Sequence, residues 1–236
     1  MIERKLISWI IPCFNEEEVI IKSLNEIIKV SDSITNYQWE LVVIDDGSTD
    51  KTTELVRAFI SNKFDIHLIQ LSRNFGHQQA VQAGLDHCKG NAAIIIDADL
   101  QDPPDLAEQM INKWENGFHV VYGKRIQRIA ENKFKILTAF LFYRLLNFLS
   151  GISIPNDTGD FRLIDREVID VLNSMPEKGR FIRGLISWIG YRQTSIKYRR
   201  NKRAAGSTKY SIRKMISLAL EGLTNFSRRP LRLATF

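Results

Sequence analysis

The chain has 236 residues, 44% hydrophobic and 25% charged, with a formal net charge of +6. That is enough apolar sequence to bury a core without a disulfide or metal staple, and 13 Gly with 6 Pro exclude a low-complexity or collagen-like chain. Two cysteines, Cys13 and Cys88, exclude a disulfide framework and a Cys-based zinc site and point to a reducing compartment.

The opening Met1-Ile2-Glu3-Arg4-Lys5 runs straight into a strand-like segment and lacks the apolar region of a signal peptide. Leu6–Ile11, Leu41–Ile44, Ile66–Leu71, Ala92–Ile96 and Val120–Tyr122 read as strands, rich in Val and Ile and mostly continuous, as in strands covered on both faces. Between them Glu17–Val30, Lys51–Asn62, His77–His87 and Asp105–Asn116 read as helices. Ser48, Thr49 or Asp50 can cap the second, and Pro103-Pro104 leads into the fourth. This alternation predicts an α/β domain: a Rossmann-like, mostly parallel sheet with helices on both faces.

After about residue 125 the pattern changes. Lys133–Leu149 carries a thick apolar stripe, Gly179–Trp188 and Tyr210–Asn225 are helix candidates, and Gln193–Tyr198 is a strand candidate. The last stretch mixes Arg228, Arg229 and Arg232 with Leu231, Leu233 and Phe236, a composition suited to a bilayer interface or to an ordinary surface helix. No run of about 18 uncharged apolar residues occurs, so no spanning segment is expected within the chain. Charge is split as well. Residues 178–236 hold fifteen Lys/Arg and one acid, Glu221, whereas residues 1–177 hold eighteen Lys/Arg and twenty-six acids. A basic tail suits phosphates, an anionic membrane or nucleic acid, and an acidic body suits a cation.

In an open parallel sheet, ligands bind beyond the carboxyl ends of the strands. There the sequence places Pro12-Cys13-Phe14-Asn15-Glu16, then Asp45-Asp46-Gly47-Ser48, then Ser72-Arg73-Asn74-Phe75-Gly76, then Asp97-Ala98-Asp99-Leu100-Gln101-Asp102. Acids follow three of the four strands and would repel one another without a cation or donors. Oxygen ligands favour a hard ion, Mg²⁺ or Mn²⁺, holding a substrate phosphate. Alone, Asp45-Asp46-Gly47-Ser48 reads first as a turn and helix cap, and Asp97-Ala98-Asp99 can be a solvated turn. No Gly-x-Gly-x-x-Gly, Gly-Lys-Ser/Thr loop or Gly-x-Ser-x-Gly elbow occurs. His67, His77, His87 and His119 lack metal-ligand spacing; His77 and His87 read as helix-surface residues, and Cys13 as packing.

Taken together these segments resemble family 2 glycosyltransferases of the GT-A fold. The likeness continues through Pro155-Asn156-Asp157-Thr158-Gly159-Asp160-Phe161-Arg162-Leu163, Arg180-Phe181-Ile182-Arg183-Gly184 and Gly206-Ser207-Thr208-Lys209-Tyr210, and so covers nearly the whole chain in order. The subgroup it most resembles moves a hexose from a nucleotide sugar to a polyprenyl phosphate: dolichol-phosphate mannose synthases and bacterial undecaprenyl-phosphate glucosyltransferases. The resemblance implies a GT-A catalytic domain over 1–209, with a basic amphipathic juxtamembrane segment over 210–236. Relatives of this kind continue into two transmembrane helices, which this chain is expected to stop short of. The implied location is the cytoplasmic face of the inner or plasma membrane, in cell-envelope glycosylation. The Gln-x-x-Arg-Trp signature of processive relatives is absent, so one sugar per cycle is expected.

By the same resemblance Pro12, Phe14, Glu16 and Asp45 line the nucleotide pocket, with Asp46 close behind. Asp97 lies near the ribose or metal, and Asp99 and Gln101 hold Mg²⁺ or Mn²⁺ on the diphosphate. A ring and a proline can pack on a base, and carboxylates accept from base N–H groups or ribose hydroxyls. Lys124, Arg125 and Arg144, with Arg203 and Lys209 from the basic tail, are candidates for the acceptor phosphate. Asp160, with Asp157 as alternate, is the base-like residue. A phosphate monoester with a second pKa near ~6 is largely deprotonated already, so Asp160 can instead orient the attacking oxygen. Direct displacement inverts the anomeric centre. The implied donor is UDP-glucose, ahead of GDP-mannose and other UDP-sugars, and a hydroxyl acceptor stays open. So do a sugar-1-phosphate nucleotidyltransferase, a basic nucleic-acid-binding protein and a homo-oligomeric state; nucleic acid is not the expected partner.

Overall fold

The computed structural model describes residues 4–60, 64–126, 158–176 and 181–201. Among them seven strands form one sheet: β1 (Leu6–Cys13), β2 (Gln38–Asp45), β3 (Asp65–Gln70), β4 (Ala92–Ile95), β5 (Val120–Arg125), β6 (Thr158–Asp165) and β7 (Gln193–Tyr198). Its order is β3-β2-β1-β4-β6-β5-β7. The pairs β1–β2, β1–β4, β2–β3 and β5–β7 are parallel, while β6 runs antiparallel to both β4 and β5. The expectation of a mostly parallel sheet therefore holds.

Among the described residues six α-helices cover it: α1 (Ile20–Ser33), α2 (Thr52–Phe59), α3 (His77–His87), α4 (Ala107–Glu115, entered through a 3₁₀ turn at Pro104–Leu106), α5 (Arg166–Ser174) and α6 (Ile182–Ile189). The continuous apolar runs are two interleaved sets. Ile7, Trp9, Ile11, Leu41 and Val43 face α1, α2 and α4, whereas Ile10, Val42, Ile44, Ala93 and Ile95 face α3, α5 and α6. Alternation along a strand assigns each set to its own layer. Trp9 is fully buried, and its indole N–H donates to Ser31 Oγ at 3.0 Å, which satisfies the one polar group the ring carries inside.

α3 and β7 occupy the expected residues. The other ends shift by a few residues, as fraying and capping dictate. Asp50 supplies the acceptor at the start of α2, taking the Thr52 N–H at 2.9 Å. α5 has no counterpart in the sequence reading. Asp165 caps it by accepting the Glu167 N–H at 2.8 Å, and Val168, Ile169 and Leu172 bury its inner face. The helices expected over Lys133–Leu149 and Tyr210–Asn225, and the basic stretch 226–236, lie outside the described residues. Among the described residues no helix is long and apolar enough to cross a membrane.

Candidate active site

The loops that leave the carboxyl ends of β1 and β2 are laced together. Asn15 sits in the left-handed region at φ 53°. Its N–H donates to Ser48 Oγ at 2.9 Å, its Oδ1 accepts the Thr49 N–H at 2.8 Å, and the Glu16 N–H donates to Thr52 Oγ1 at 2.8 Å. Pro12 is buried within β1 beside Ile44, while Phe14 and Glu16 are half-buried just beyond the strand. Cys13 is buried and its thiol donates to the Ile44 carbonyl at 3.4 Å. Burial and the neighbouring Asp45 push that thiol far up, which suits packing and not nucleophilic chemistry.

Asp45 and Asp46 do different structural work. Asp45 is fully buried and accepts the Ser48 N–H at 3.1 Å and the Thr53 hydroxyl. Asp46 accepts from the Phe75 N–H at 2.7 Å, the Gly76 N–H at 2.9 Å and Asn74 Nδ2 at 3.0 Å, so it moulds the loop after β3. Burial pushes Asp46 up, against the pull of those two backbone N–H groups. Gly47 between this loop and its neighbour has φ +71°, and a Cβ there would lie 2.4 Å from the Arg73 carbonyl carbon. Only glycine fits that contact.

The segment after β4 is the acidic one. Asp99 and Asp102 are buried, and Asp97 is partly open with 32% of its side chain exposed. Leu100 takes φ 55°, uncommon for a bulky residue, and so turns the chain sharply between Asp99 and Gln101. The Gln101 N–H closes the turn onto Asp99 Oδ1 at 3.1 Å. Asp97 is raised to about 6, first by burial and then by Asp102, Asp160 and Asp99, against the pull of His77.

A guanidinium lies among these acids. Arg200 follows β7, with Nη2 4.0 Å from Asp97 and 3.9 Å from Asp99, and Nε 3.4 Å from Asp102. The Asn201 N–H donates to the Gln101 carbonyl at 2.9 Å, and Gln101 Nε2 reaches back to the Asn201 carbonyl at 3.4 Å. The acidic turn and the chain leaving β7 thus form one unit. Arg125 joins it, with Nη2 3.9 Å from Asp102 and Nε donating to Tyr198 Oη at 3.4 Å, while the Tyr198 hydroxyl donates to Asp102. Lys124 is exposed one residue earlier.

Asp160, on β6, is nearly buried. Arg183 from α6 grips it with two parallel bonds, Nε to Oδ1 at 2.7 Å and Nη2 to Oδ2 at 2.8 Å. His77, the first residue of α3, stands between Asp160 at 3.1 Å and Asp97 at 3.7 Å. Burial pushes Asp160 up, but Arg183 and His77 outweigh it and hold the carboxyl well below the usual range. Burial likewise pulls His77 down, yet Asp97 and Asp160 raise it to about 9. A carboxylate held in that way is a poor proton acceptor and a good fixed anion.

The structure therefore brings Asp97, Asp99, Gln101, Asp160 and Arg125 to one rim, with Asp45 and Asp46 bracing the loops beside it. Asp157, Arg144, Arg203 and Lys209 lie outside the described residues. The reading of His77 as a plain helix-surface residue is corrected: the α3 N-terminus points it between two acids. Arg200, Arg183, Asp102 and Tyr198 went unassigned. Asp102 and Arg183 stood inside the segments that carried the resemblance, whereas Arg200 was one cation in a basic run and nothing local singled it out.

The glycosyl transferase family 2 pattern matches residues 8–172. The chain is 47% identical over 229 residues to an uncharacterized glycosyltransferase, YkcC, of Bacillus subtilis, covering 97% of this chain and 71% of the relative. It is 39% identical over 230 residues to a bactoprenol glucosyl transferase of Shigella phage SfX, covering 98% of this chain and 75% of the relative. Among solved structures, the mannosyltransferase PcManGT from Pyrobaculum calidifontis, in complex with GDP-Man and Mn²⁺, superposes with a TM-score of 0.59 at 23% identity, over 83% of this chain and 56% of that one. Glucosyl-3-phosphoglycerate synthase from Mycobacterium tuberculosis, with Mn²⁺, UDP-glucose and phosphoglyceric acid, gives 0.56 at 19% identity, over 92% of this chain and 76% of that one. These structures bear out the GT-A fold, and the sequence matches bear out the family: the chain belongs to glycosyl transferase family 2.

Proposed function

We propose that this glycosyltransferase moves one glucose from UDP-glucose to a polyprenyl phosphate such as undecaprenyl phosphate, with inversion and with Mg²⁺ or Mn²⁺, at the cytoplasmic face of a membrane. The observation that carries the reading is the seating of the Arg200 guanidinium among Asp97, Asp99 and Asp102. That rim is built for positive charge, and its all-oxygen donor set fits a hard divalent ion. Asp97 and Asp99, with Gln101, would hold it; bound there, such an ion stabilises charge developing on the departing diphosphate. Arg200 would then turn towards the diphosphate, and Arg125 and Lys124 would meet the acceptor phosphate. Asp160, fixed by Arg183, would orient the acceptor oxygen or the sugar and not carry a proton away. The bactoprenol glucosyl transferase relatives favour the lipid acceptor and glucose over the alternatives.

A donor panel tests this. The chain is incubated with UDP-glucose, GDP-mannose or UDP-N-acetylglucosamine, with Mg²⁺ or Mn²⁺, with and without undecaprenyl phosphate, and nucleotide diphosphate release is scored. Release from UDP-glucose that needs both the lipid and the metal, and disappears in Asp99→Ala with the fold kept, is the expected outcome. Equal release without the lipid would point to hydrolysis or another acceptor, and turnover by Asp99→Ala at saturating metal would remove the ion from that rim.

A further inference from the structure

The amino-terminal edge of the sheet carries a second group of ligand-type side chains. Glu40 is the third residue of β2, and Asp45 is its last, so at about 3.3 Å per residue the two lie roughly 17 Å apart along the strand. Register pairs Glu40 with Asp65, and Val42 with His67, which puts Glu40, Asp65 and His67 on the α3 face of the sheet. We propose that these three residues form a metal site for a borderline divalent transition ion, of which Zn²⁺ is the probe.

Glu40 is fully buried. Its Oε1 is well supplied, accepting the Ser8 hydroxyl at 2.5 Å and the N–H groups of Lys89 at 2.6 Å and Gly90 at 3.2 Å. Its Oε2 has no hydrogen-bond donor, although it is shielded from solvent. A buried carboxylate oxygen left in that way is costly. It faces His67 Nε2 at 3.9 Å, and that nitrogen is 3.0 Å from Asp65 Oδ1. All three ligand atoms lie within 4.8 Å of one another. Ligands about 2.0–2.2 Å from a tetrahedral ion stand roughly 3.3–3.6 Å apart, so closure needs shifts of about an ångström. Asp65, whose side chain is 58% exposed, can supply them. One imidazole with two carboxylates selects a borderline ion over Ca²⁺ or Mg²⁺. The backbone N–H groups on Oε1 are the outer support that a liganding carboxylate needs. Such a site would tie edge strand β3 to the turn between α3 and β4. Spacing along the chain hid it, because strand register alone unites residues 40, 65 and 67.

The competing arrangement is an imidazolium paired with two carboxylates and no ion. Chelator-stripped Asp99→Ala chain, in which the rim is weakened, is titrated with Zn²⁺ by calorimetry, alone and with His67→Gln or Asp65→Asn added. Diffraction at the zinc edge is recorded on the unsubstituted chain. We expect one saturable Zn²⁺ per chain, an anomalous peak among Glu40, Asp65 and His67, and a loss of affinity of about a hundredfold or more in His67→Gln, since even an outer-shell partner is worth ~10–100-fold. Asp65→Asn, on an exposed position where folding is not at stake, should also weaken binding. Unchanged affinity in either variant, a peak only at Asp97 and Asp99, or no saturable binding would overturn the site and leave the ion pair.

Discussion

On the proposed reading, Arg200 occupies the ground that a metal-bound diphosphate would take, which makes it a competitor before it is a partner. Its guanidinium lies within 4.0 Å of Asp97, Asp99 and Asp102. Removing it leaves three carboxylates facing one another, which favours a cation more strongly. Arg200→Ala should therefore bind Mn²⁺ several-fold more tightly in the absence of nucleotide, read by Mn²⁺ electron paramagnetic resonance, while turnover with UDP-glucose falls. Weaker Mn²⁺ binding would mean that Arg200 shapes the rim and does not compete for it. The pair Asp160–Arg183 gives a second test. Asp160 stays charged below the ordinary carboxylate range, so its stabilisation is present above that range and is lost as pH falls through the depressed folded value. Asp160→Asn should remove that acid-sensitive part and cost up to about 3–5 kcal/mol near pH 7, because the two charge-assisted bonds from Arg183 to this nearly buried carboxylate are lost. In urea melts the variant should show a flatter stability profile below pH 5. Its kcat should drop far more than its donor KM rises; matched losses would make Asp160 purely structural. At this scale the sequence marked Asp97, Asp99 and the cation Arg125, and the resemblance marked Asp160, but neither singled out Asp102, Arg183 or Arg200. Asp97 and Asp99 stand out by following a strand, whereas Arg183 and Arg200 reach the rim only through the packing of α6 and the end of β7.

Elements were legible where periodicity and punctuation agree. α3 stands between Gly76 and Cys88, and its inner face is set by Ala80, Val81, Gly84 and Leu85. Phe161–Ile164 reads as strand-like within what becomes β6, but the direction of β6 is not legible, because nothing local in Thr158–Asp165 says whether it pairs parallel or antiparallel. α5 has no signal of its own because it follows β6 directly: Asp165 both ends the strand and caps the helix, so no turn residues separate the two. Gly84 makes a prediction about how tightly the layers meet. A Cβ there would come 2.4 Å from Ile10 Cγ2 and 2.8 Å from Ile44 Cδ1, both on fully buried residues that have no room to retreat. Glycine costs a helix about 1 kcal/mol relative to alanine, but overpacking costs ~1–3 kcal/mol. Gly84→Ala should thus lower stability by up to roughly 2 kcal/mol despite its better helix propensity, seen as a lower Tm in calorimetry. A raised Tm would show that α3 can lift off β1 and β2 at little cost.

Across the whole molecule, the proposed function asks the charge pattern to bring two anionic substrates to a negative rim. The acidic residues gather in 1–177, and fifteen Lys/Arg against one acid fill 178–236. A nucleotide diphosphate and a lipid phosphate would both be repelled by Asp97, Asp99 and Asp160 alone, so the cations of the second half have to be recruited. Arg183 and Arg200 show how this happens inside the described residues, where each crosses to an acid from the first half or from β6. The remaining basic residues, with Leu231, Leu233 and Phe236 interspersed, suit an anionic bilayer surface. Each Lys or Arg near such a surface contributes about 1 kcal/mol. Replacing Arg228, Arg229 and Arg232 with Gln should weaken partition onto phosphatidylglycerol vesicles by roughly tenfold to a hundredfold. Binding of the unsubstituted chain should fall steeply with salt, as the screening length shrinks from about 10 Å at 0.1 M to about 3 Å at 1 M. Co-sedimentation that ignores both the substitutions and the salt would remove the membrane surface from the picture. Stronger capture by single-stranded RNA than by vesicles at equal phosphate would instead give the basic half a nucleic-acid partner.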